Sequence, residues 1–196
     1  VGAATLDKKL SSYALNECIS GFEFLSCIPG SIGGAIIMNS GCYGDNISNI
    51  LHSINVVDLK GQLSVIKKAD IEFHYRGTSL PHNIIILSAN FIIKNEKKNL
   101  IENKMQKYIE EKKKTQPSQV KTCGSTFKNP KNMKAWKLIK DSECCSLSFG
   151  EASISEKHSN FFVNNGNATA KDIEKLINFV REKVFNKHKI RLDLEI

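Results

Sequence analysis

Apolar residues along the chain change between helical and alternating spacing, and each change predicts a different element. Spacing of three and four residues predicts a helix from Asp7 to about Cys18, with Asp7 as its cap. Alternating apolar runs between Ile54 and Phe91, separated by the turn signal Lys60-Gly61, predict antiparallel strands. The first half is therefore predicted to begin with a helix and continue into a sheet. The predicted buried face of the helix consists of Leu6, Leu10, Tyr13 and Ala14.

Helical spacing returns between Lys98 and Thr115 and predicts a lysine-rich helix with one apolar face. Gln116-Pro117-Ser118 then interrupts the pattern, because proline cannot continue a helix. We therefore predict three parts: residues 1–97, a connecting helix over 98–116 and a second domain over 117–196.

Shorter signals beyond this break predict a small domain of helices and strands. One helix is predicted from about Asn132 to Lys140, and a short strand at Phe161–Val163. A longer helix is predicted from about Ala170 to Asn186, where Thr169 and Asp172 have the spacing of a capping box.

The last seven residues alternate strictly between apolar and charged side chains. This alternation predicts a terminal strand with Glu195 opposite the core face, where a charged residue is usually solvated. The predicted core-facing residues are Ile190, Leu192, Leu194 and Ile196.

Residues 26–45, which we call the glycine segment, contain five glycines. Pro29 presets its own φ angle, while Gly30, Gly33 and Gly34 permit close approaches that a Cβ atom would prevent. Such a backbone can lie against a flat ring or a phosphate. The same spacing also fits a buried turn between a helix and a strand, because glycine motifs are weak without their context.

The composition is that of a soluble globular protein, with 41% apolar and 24% charged residues in a chain of 196. The net charge of +8 requires an anionic partner, which is satisfied by a phosphorylated small molecule or by nucleic acid. No basic stripe with interleaved aromatic residues supports nucleic acid. The six cysteines form no CxxC pair, so we expect no metal site and reduced thiols. The apolar run Ile84–Ile93 is too short to span a membrane, and we expect a cytoplasmic protein.

Several motifs in order along the chain resemble the UDP-N-acetylenolpyruvoylglucosamine reductase family of flavoenzymes. They are GFEFLSCIPGSIGGAIIMNSGCYGD, FHYRGTS, TQP, CGSTFKNP, ISEKHSNFFVNNGNATAKDI and LDLEI. The short interval between Arg76 and Ser125 indicates the shorter-loop subclass. The resemblance implies an α+β fold: the remainder of an FAD-binding domain with an antiparallel sheet, followed by a small α/β substrate-binding domain.

The family resemblance also implies a reaction. NADPH reduces bound FAD, and a hydride then passes to the enolpyruvyl double bond of UDP-N-acetylglucosamine enolpyruvate, giving UDP-N-acetylmuramate for peptidoglycan synthesis. Hydride addition leaves an enolate-like anion, which needs a fixed cation or polarised acid and a proton donor. By their places in the motifs, Arg76, Ser125 and Glu195 are the implied catalytic residues.

Each residue also has an ordinary structural interpretation. In isolation, Arg76 fits a surface arginine, Ser125 a turn serine and Asn129 a turn former before proline. The resemblance implies substrate contacts for Tyr75, Gly124, Lys128 and Asn129, with Lys128 directed to the diphosphate. The implied flavin-binding residues are Ile28, Pro29, Gly30, Ser31, Ile32, Gly33, Gly34 and Asn39.

The main departure from the family pattern is at the start of the chain. The flavin domain of the family begins with a lobe that would precede Val1. We therefore expect this chain alone to hold FAD weakly or not at all, and to need an N-terminal lobe supplied by a longer precursor or a separate polypeptide. Cys27 and Glu151 stand where the family commonly has glycine, and Glu143-Cys144-Cys145-Ser146 replaces its glycine-rich turn, so we expect backbone strain at these positions. An alternative is an inactive remnant that binds a UDP sugar without turnover. A third hypothesis, based on charge alone, is a basic protein that binds nucleic acid.

Overall fold

Helices and short antiparallel strands alternate along the chain in the computed structural model, which describes all 196 residues. This architecture confirms the predicted α+β class. The chain divides into two compact units, Val1–Lys112 and Lys113–Ile196. The predicted three-part division, with a separate connecting helix, stays a prediction.

The first unit contains most of the strands. Its elements are α1 (Asp7–Asn16), β1 (Ile19–Ser20), α2 (Ile32–Ile37), β2 (Gly41–Cys42), β3 (Asp45–Asn46), β4 (Leu51–Asp58), β5 (Leu63–Lys67), β6 (Phe73–His74), β7 (Gly77–Thr78), β8 (Ile84–Phe91), β9 (Lys94–Asn95) and α3 (Lys98–Thr115), whose last residues belong to the second unit. The elements that follow are α4 (Ala135–Asp141), β10 (Ser148–Phe149), β11 (Ala152–Ile154), β12 (Phe162–Asn164) and α5 (Ala170–His188).

The main sheet of the first unit has three antiparallel strands in the order β5-β4-β8, as the alternating runs predicted. Gly61, in the predicted turn, has a φ angle of +83° and donates its N–H to the Asp58 carbonyl at 3.0 Å. Ile54 and Ala89 are paired across β4 and β8 and are both fully buried. Helix α3 has the predicted bounds and buries Ile101 and Met105.

Helix α1 confirms only part of its prediction. Leu10 and Ala14 are buried in the core, but Leu6 and Tyr13 are each 60% exposed. Asp7 is not the cap, because Leu6 occupies the N-cap position and Asp7 is the first helical residue. The buried face is therefore rotated towards Asp7 and Ser11, two polar residues that apolar spacing alone does not identify.

In the second unit, the sheet β10-β11-β12 packs against α5. The predicted capping box is present: the Thr169 side chain accepts from the Asp172 N–H at 3.2 Å, and the Asp172 carboxylate accepts from the Thr169 N–H at 3.0 Å. Leu176, Val180 and Val184 of α5 are fully buried. Helix α4 begins three residues later than predicted.

The C-terminal residues do not form the predicted strand. They make one isolated bridge, between Leu194 and Phe127. Leu192 is fully buried, whereas Leu194 is 38% and Ile196 is 50% exposed, so their predicted burial is wrong. Ile190 and Leu192 belong to the core cluster of the second unit, and the chain leaves that core after Leu192.

Candidate functional site

The glycine segment begins at the end of a 3₁₀ helix (Glu23–Cys27) and includes all of α2. Pro29, Gly30 and Gly34 are exposed and Ile28 is half-buried. The predicted cofactor bed is therefore a surface of accessible backbone rather than a turn enclosed in the core.

The N-terminal residues hold the glycine segment from beneath. The N–H of Ile32 donates to the Thr5 carbonyl, and the N–H of Gly33 donates to the Ala3 carbonyl, each at 2.9 Å. A Cβ atom on Gly33 would lie 3.1 Å from the Ala3 Cβ. This crossing thus favours glycine at position 33, and the N–H groups of Ile32 and Gly33 are already engaged within the protein.

Gly30 and Gly34 differ in what surrounds them. A Cβ atom on Gly30 would lie 2.9 Å from Oδ2 of Asp7, so packing within the protein explains this glycine. At Gly34 the nearest atom to such a Cβ is Oγ of Ser31, at an ordinary contact distance of 3.8 Å. Internal packing therefore does not require glycine at position 34, which leaves room above the exposed backbone.

Asp7 lies directly beneath Gly30 and is fully buried. Its N–H donates to the Gly30 carbonyl at 3.0 Å, but neither carboxylate oxygen has a hydrogen-bond partner. Burial raises the pKa of Asp7 to about 6. The sequence pattern predicts a helix cap at Asp7, and nothing in that pattern indicates a buried acid.

Arg76 lies in the turn of the β6–β7 hairpin, beside Tyr75. Its φ angle is +59°, a left-handed conformation that is unfavourable for a residue with a Cβ atom. The guanidinium carbon is 4.9 Å from the centre of the exposed Tyr75 ring. Burial raises the pKa of the Cys42 thiol to about 12 and the charge of Arg76 acts in the opposite direction, which places Arg76 near the glycine segment.

Asn39 connects the glycine segment to this hairpin. Its Nδ2 donates to the His74 carbonyl at 3.1 Å, and its Oδ1 accepts from the Ser48 N–H at 3.2 Å. The Thr78 hydroxyl also donates to the Ile37 carbonyl at 3.3 Å. The structure therefore brings Arg76 and the end of the glycine segment together, and the Asn39 amide is part of that connection. Its predicted contact with a cofactor stays a prediction.

Helix α3 braces the glycine segment, which the sequence analysis did not foresee. Lys112 Nζ donates to the Cys27 carbonyl at 2.7 Å. Lys104 Nζ lies 3.0 Å from Asp45 and 3.5 Å from Glu23, which is buried. Carboxylates near both ends of the segment are thus paired with Lys104, and Lys112 holds the Cys27 carbonyl. The lysine-rich composition of α3 was the only signal, and it is equally typical of a solvated helix.

Ser125 lies on an extended segment between two other parts of the second unit. On one side it bridges Phe161, and the Thr126 N–H donates to the Asn160 carbonyl at 2.8 Å. On the other side the Glu195 N–H donates to the Thr126 carbonyl at 2.9 Å. Ser125 and Glu195 are both half-buried. The structure therefore brings these two predicted catalytic residues onto neighbouring paired segments.

The predicted substrate-binding residues of the second unit flank Ser125. Gly124 has a φ angle of +93°, as expected for a tight loop. Lys128 is half-buried and its N–H donates to the Asp193 carbonyl at 2.8 Å. Asn129 Oδ1 accepts from the Ala135 N–H at 3.0 Å and so satisfies the start of α4. This bond gives Asn129 a structural role at the start of α4, and its predicted substrate contact stays a prediction.

Comparison with known proteins separates the same two parts of the chain. Residues 1–67 match the FAD binding domain family, and residues 116–196 match the UDP-N-acetylenolpyruvoylglucosamine reductase C-terminal domain. The crystal structure of the UDP-N-acetylenolpyruvylglucosamine reductase of Thermus caldophilus is 34% identical, with a TM-score of 0.90 over 100% of this chain and 70% of its own. The chain belongs to this reductase family.

Two curated relatives support the same family assignment. The UDP-N-acetylenolpyruvoylglucosamine reductase of Pelagibacter ubique is 48% identical and that of Rickettsia prowazekii 44% identical, each over 100% of this chain. The chain spans 66% of the length of each of these relatives. No helix of the chain is long and apolar enough to cross a membrane.

The first unit fits a flavin at one specific place. Gly34 is exposed and has no packing requirement for glycine, and the neighbouring Pro29 and Gly30 are exposed as well. A flat ring can approach such a surface without meeting a side chain. The predicted flavin-binding residues thus include a suitable surface, although the N–H groups of Ile32 and Gly33 donate elsewhere.

The predicted catalytic residues are divided between the units, with Arg76 in the first and Ser125 and Glu195 in the second. Asn160, which pins the Ser125 segment, was missed, because a buried asparagine has no periodic signal. His158, in the same motif, packs its ring on Phe161 at 4.7 Å between ring centres. Burial lowers the pKa of His158, which favours its neutral form.

Proposed function

We propose that this chain carries the flavin surface and the catalytic residues for reduction of UDP-N-acetylglucosamine enolpyruvate to UDP-N-acetylmuramate, with NADPH as the reductant. The observation that carries the proposal is the pairing of the Ser125 segment with the Glu195 segment. This pairing brings a serine and a glutamate onto neighbouring backbone segments, in the part of the chain that matches the reductase C-terminal domain.

Arg76 has the chemistry needed to hold the substrate carboxylate. A guanidinium is always charged and presents parallel N–H donors that match a carboxylate. The exposed Tyr75 ring beside it supports the orientation of the guanidinium plane. Fixed positive charge at this position also stabilises the anion that forms when the double bond is reduced.

Ser125 and Glu195 have the chemistry needed for the proton. A serine hydroxyl is a weak acid, so it donates a proton to carbon only when a neighbour stabilises the transfer. Glu195, on the adjacent segment, is the group proposed to assist. Lys128 and Asn129, which follow on the same stretch, are proposed to contact the diphosphate and the sugar.

When bound, FAD supplies the hydride that it has received from NADPH. The residues proposed to hold it are Ile28, Pro29, Gly30, Ser31, Ile32, Gly33, Gly34 and Asn39. Exposed backbone at Gly30 and Gly34 supports contact with the ring, and the half-buried Ile28 supplies an apolar edge.

The test measures turnover with all components present. The purified chain is mixed with FAD, NADPH and the enolpyruvyl substrate, alone and together with the part of the Pelagibacter relative that this chain does not cover. Substrate-dependent oxidation of NADPH supports the proposal. Binding of a UDP sugar without oxidation in either mixture contradicts it and supports the inactive remnant. Binding of nucleic acid that weakens steeply with salt would instead support the third hypothesis.

Ser125→Ala is the sharpest single change. Removal of a general acid typically lowers a rate by about 10²- to 10⁴-fold, so oxidation of reduced flavin by the substrate should fall by that amount. Reduction of the flavin by NADPH should not change, because Ser125 has no part in that step. Stopped-flow absorbance at the flavin band measures both steps. Ser146→Ala, at an exposed serine of the same unit, is the control, and equal effects of the two variants would refute the role of Ser125.

Arg76→Lys keeps the charge but loses the planar pair of donors. A charged hydrogen bond contributes about 1.5–3 kcal/mol, so kcat/KM for the substrate should fall roughly 10- to 100-fold. Arg181→Lys on α5 is the matched control. An unchanged kcat/KM in Arg76→Lys would show that only the charge at this position matters.

A further inference from the structure

The buried side chain of Asn160 is joined to the backbone of the segment that carries Ser125. Asn160 is 3% exposed. Its Oδ1 accepts from the Phe127 N–H at 3.0 Å, and its Nδ2 donates to the Phe127 carbonyl at 2.8 Å. Its own carbonyl accepts from the Thr126 N–H at 2.8 Å. One residue thus makes hydrogen bonds to two consecutive residues of the Ser125 segment.

The Asn160 amide extends a strand pairing that the backbone does not continue. Phe161 bridges Ser125 in antiparallel fashion, so the next backbone partner of Phe127 would lie just before Asn160. The chain turns there instead, with the Phe161 N–H donating to the His158 carbonyl at 2.9 Å. The asparagine amide has one donor and one acceptor with the spacing of a peptide group. It therefore replaces the missing strand residue.

Gly124 leaves the other end of this segment adaptable. With a φ angle of +93° and no atom within 4 Å of the position of a Cβ, Gly124 provides little packing to orient the residue that follows. The direction of Ser125 is therefore set by its own bridge to Phe161 and by the bonds on its C-terminal side, at Thr126 and Phe127. The Glu195 N–H also donates to the Thr126 carbonyl, so a shift of the segment would move Ser125 relative to Glu195.

We propose that Asn160 is a positioning residue for Ser125, which it holds in register with Glu195 through the Phe127 backbone. The proposal rests on the proposed function for the part that concerns catalysis. Aspartate, serine and alanine cannot replace the amide at neutral pH: aspartate lacks the donor, serine is too short and alanine has neither group. Phe127 is fully buried, so its N–H and carbonyl would lose their partners without access to water.

Asn160→Asp is the decisive variant, because its acid form imitates the amide. A protonated carboxyl has one O–H donor and one acceptor, whereas the carboxylate has no donor and faces the Phe127 carbonyl. Burial and this carbonyl will raise the pKa of the new acid. His158, whose Nδ1 accepts from the Asn160 N–H at 3.3 Å, is the titratable neighbour, and the parent chain with asparagine controls for it.

The first measurement is amide hydrogen exchange of Phe127 and Thr126 in Asn160→Asp, with Val184→Ala as a control that destabilises the core of the same unit. Exchange at these two amides should rise at least about tenfold more in Asn160→Asp than in Val184→Ala at pH 8, and the excess should shrink at pH 5. An excess that is absent, or unaffected by pH, overturns the proposal. This measurement does not depend on turnover, so it separates failure of the inference from failure of the proposed function.

The second measurement is the rate at which the substrate oxidises reduced flavin, in the mixture that shows turnover. Displacement of a reacting group by about 1 Å can lower a rate roughly 100-fold, so this step should slow by 10- to 100-fold at pH 8 in Asn160→Asp. The step should recover as the pH is lowered, while flavin reduction by NADPH stays unchanged. Slowing equal to that of Val184→Ala, with no recovery, overturns the positioning role. If the parent chain itself shows no turnover, the exchange measurement alone decides whether Asn160 holds the segment.

Discussion

Asp7 and Asn160 are buried polar side chains that lie beneath segments with predicted functions, one in each unit, and the fold treats them in opposite ways. The Asp7 carboxylate lies under Gly30 with neither oxygen hydrogen-bonded. The Asn160 amide is bonded through both its oxygen and its nitrogen to Phe127. Burial of a polar group without partners is unfavourable, whereas a satisfied buried amide specifies one arrangement of the chain.

The difference shows how each unit keeps its functional segment in place. The glycine segment is held mainly by backbone bonds to Ala3, Thr5 and Asp7, and the acid beneath it adds an energetic cost. The Ser125 segment is held by a side chain that could not be exchanged for a similar one without loss. We therefore expect changes at Asp7 to alter stability and its pH dependence, and changes at Asn160 to alter geometry.

The largest expected effect on stability is at Asp7. Its pKa is raised by burial from 3.8 to about 6, so the folded chain binds this proton more tightly than the unfolded chain does. The stability therefore declines as the pH rises between these two values, and the decline amounts to about 3 kcal/mol. Asp7→Asn should lack this decline. Urea unfolding of both proteins between pH 4 and pH 8 measures the difference.

The contrast between Asp7 and Asn160 fails if the stability of the parent chain and that of Asp7→Asn depend on pH in the same way. That result would mean that the Asp7 carboxylate has a hydrogen-bond donor in solution, and that the two buried groups are not treated differently. Asp193→Asn, at an exposed carboxylate, provides the control for a general effect of losing one charge.

A smaller effect is expected at Asn39, which resembles Asn160 in joining two segments but is only half-buried. Asn39→Ala removes the bonds to the His74 carbonyl and the Ser48 N–H, and water can replace both in part. Each bond contributes about 0.5–1.5 kcal/mol, so kcat/KM should fall about 3- to 10-fold through movement of Arg76. Asn49→Ala, at an exposed asparagine, should leave kcat/KM unchanged. If kcat/KM falls as much as in Arg76→Lys, solvent exposure does not weaken the effect of these two hydrogen bonds.

The smallest effect concerns strain in the second unit. Among Cys27, residues 143–146 and Glu151, where strain was expected, only Glu143 has a positive φ angle, +59°. Glycine adopts this conformation without the steric cost of a Cβ atom, so Glu143→Gly should stabilise the protein by about 1 kcal/mol and raise Tm by roughly 2–4 °C. Glu174→Gly, in the exposed part of α5, should have the opposite effect. Thermal unfolding of the two variants tests whether the sign of the stability change depends on the φ angle of the substituted residue.

The sequence was sufficient where the local signal and the tertiary contacts agree. Helix α3 has the predicted bounds because the end of its apolar face and the proline that follows predict the same end of the helix. Helix α5 starts where the Thr169–Asp172 pair predicted, because a capping box depends only on local geometry. The strands β4, β5 and β8 combine strong alternation with a clear turn at Gly61.

Predictions from the sequence failed where contacts between residues far apart in the chain determine the local structure. Asp7 has the spacing of a cap, but pairing of the N-terminal residues with the glycine segment draws it into the helix and under Gly30. The alternation at Leu194 and Ile196 indicates a strand, but the core of the second unit ends at Leu192. Asn160 belonged to a recognised motif, yet its role depends on Phe127, which lies 33 residues away in the chain. No pattern of spacing reports such a contact.

The crossing of Gly33 over Ala3 has a consequence for how the sequence can vary. The position of a Cβ on Gly33 lies 3.1 Å from the existing Cβ of Ala3, so two methyl groups at this crossing would be in tighter than ordinary contact. A methyl group can be moved from one partner to the other more easily than it can be added to either one. Residues 3 and 33 are therefore expected to change as a coupled pair during evolution, with a gain in size at one matched by a loss at the other.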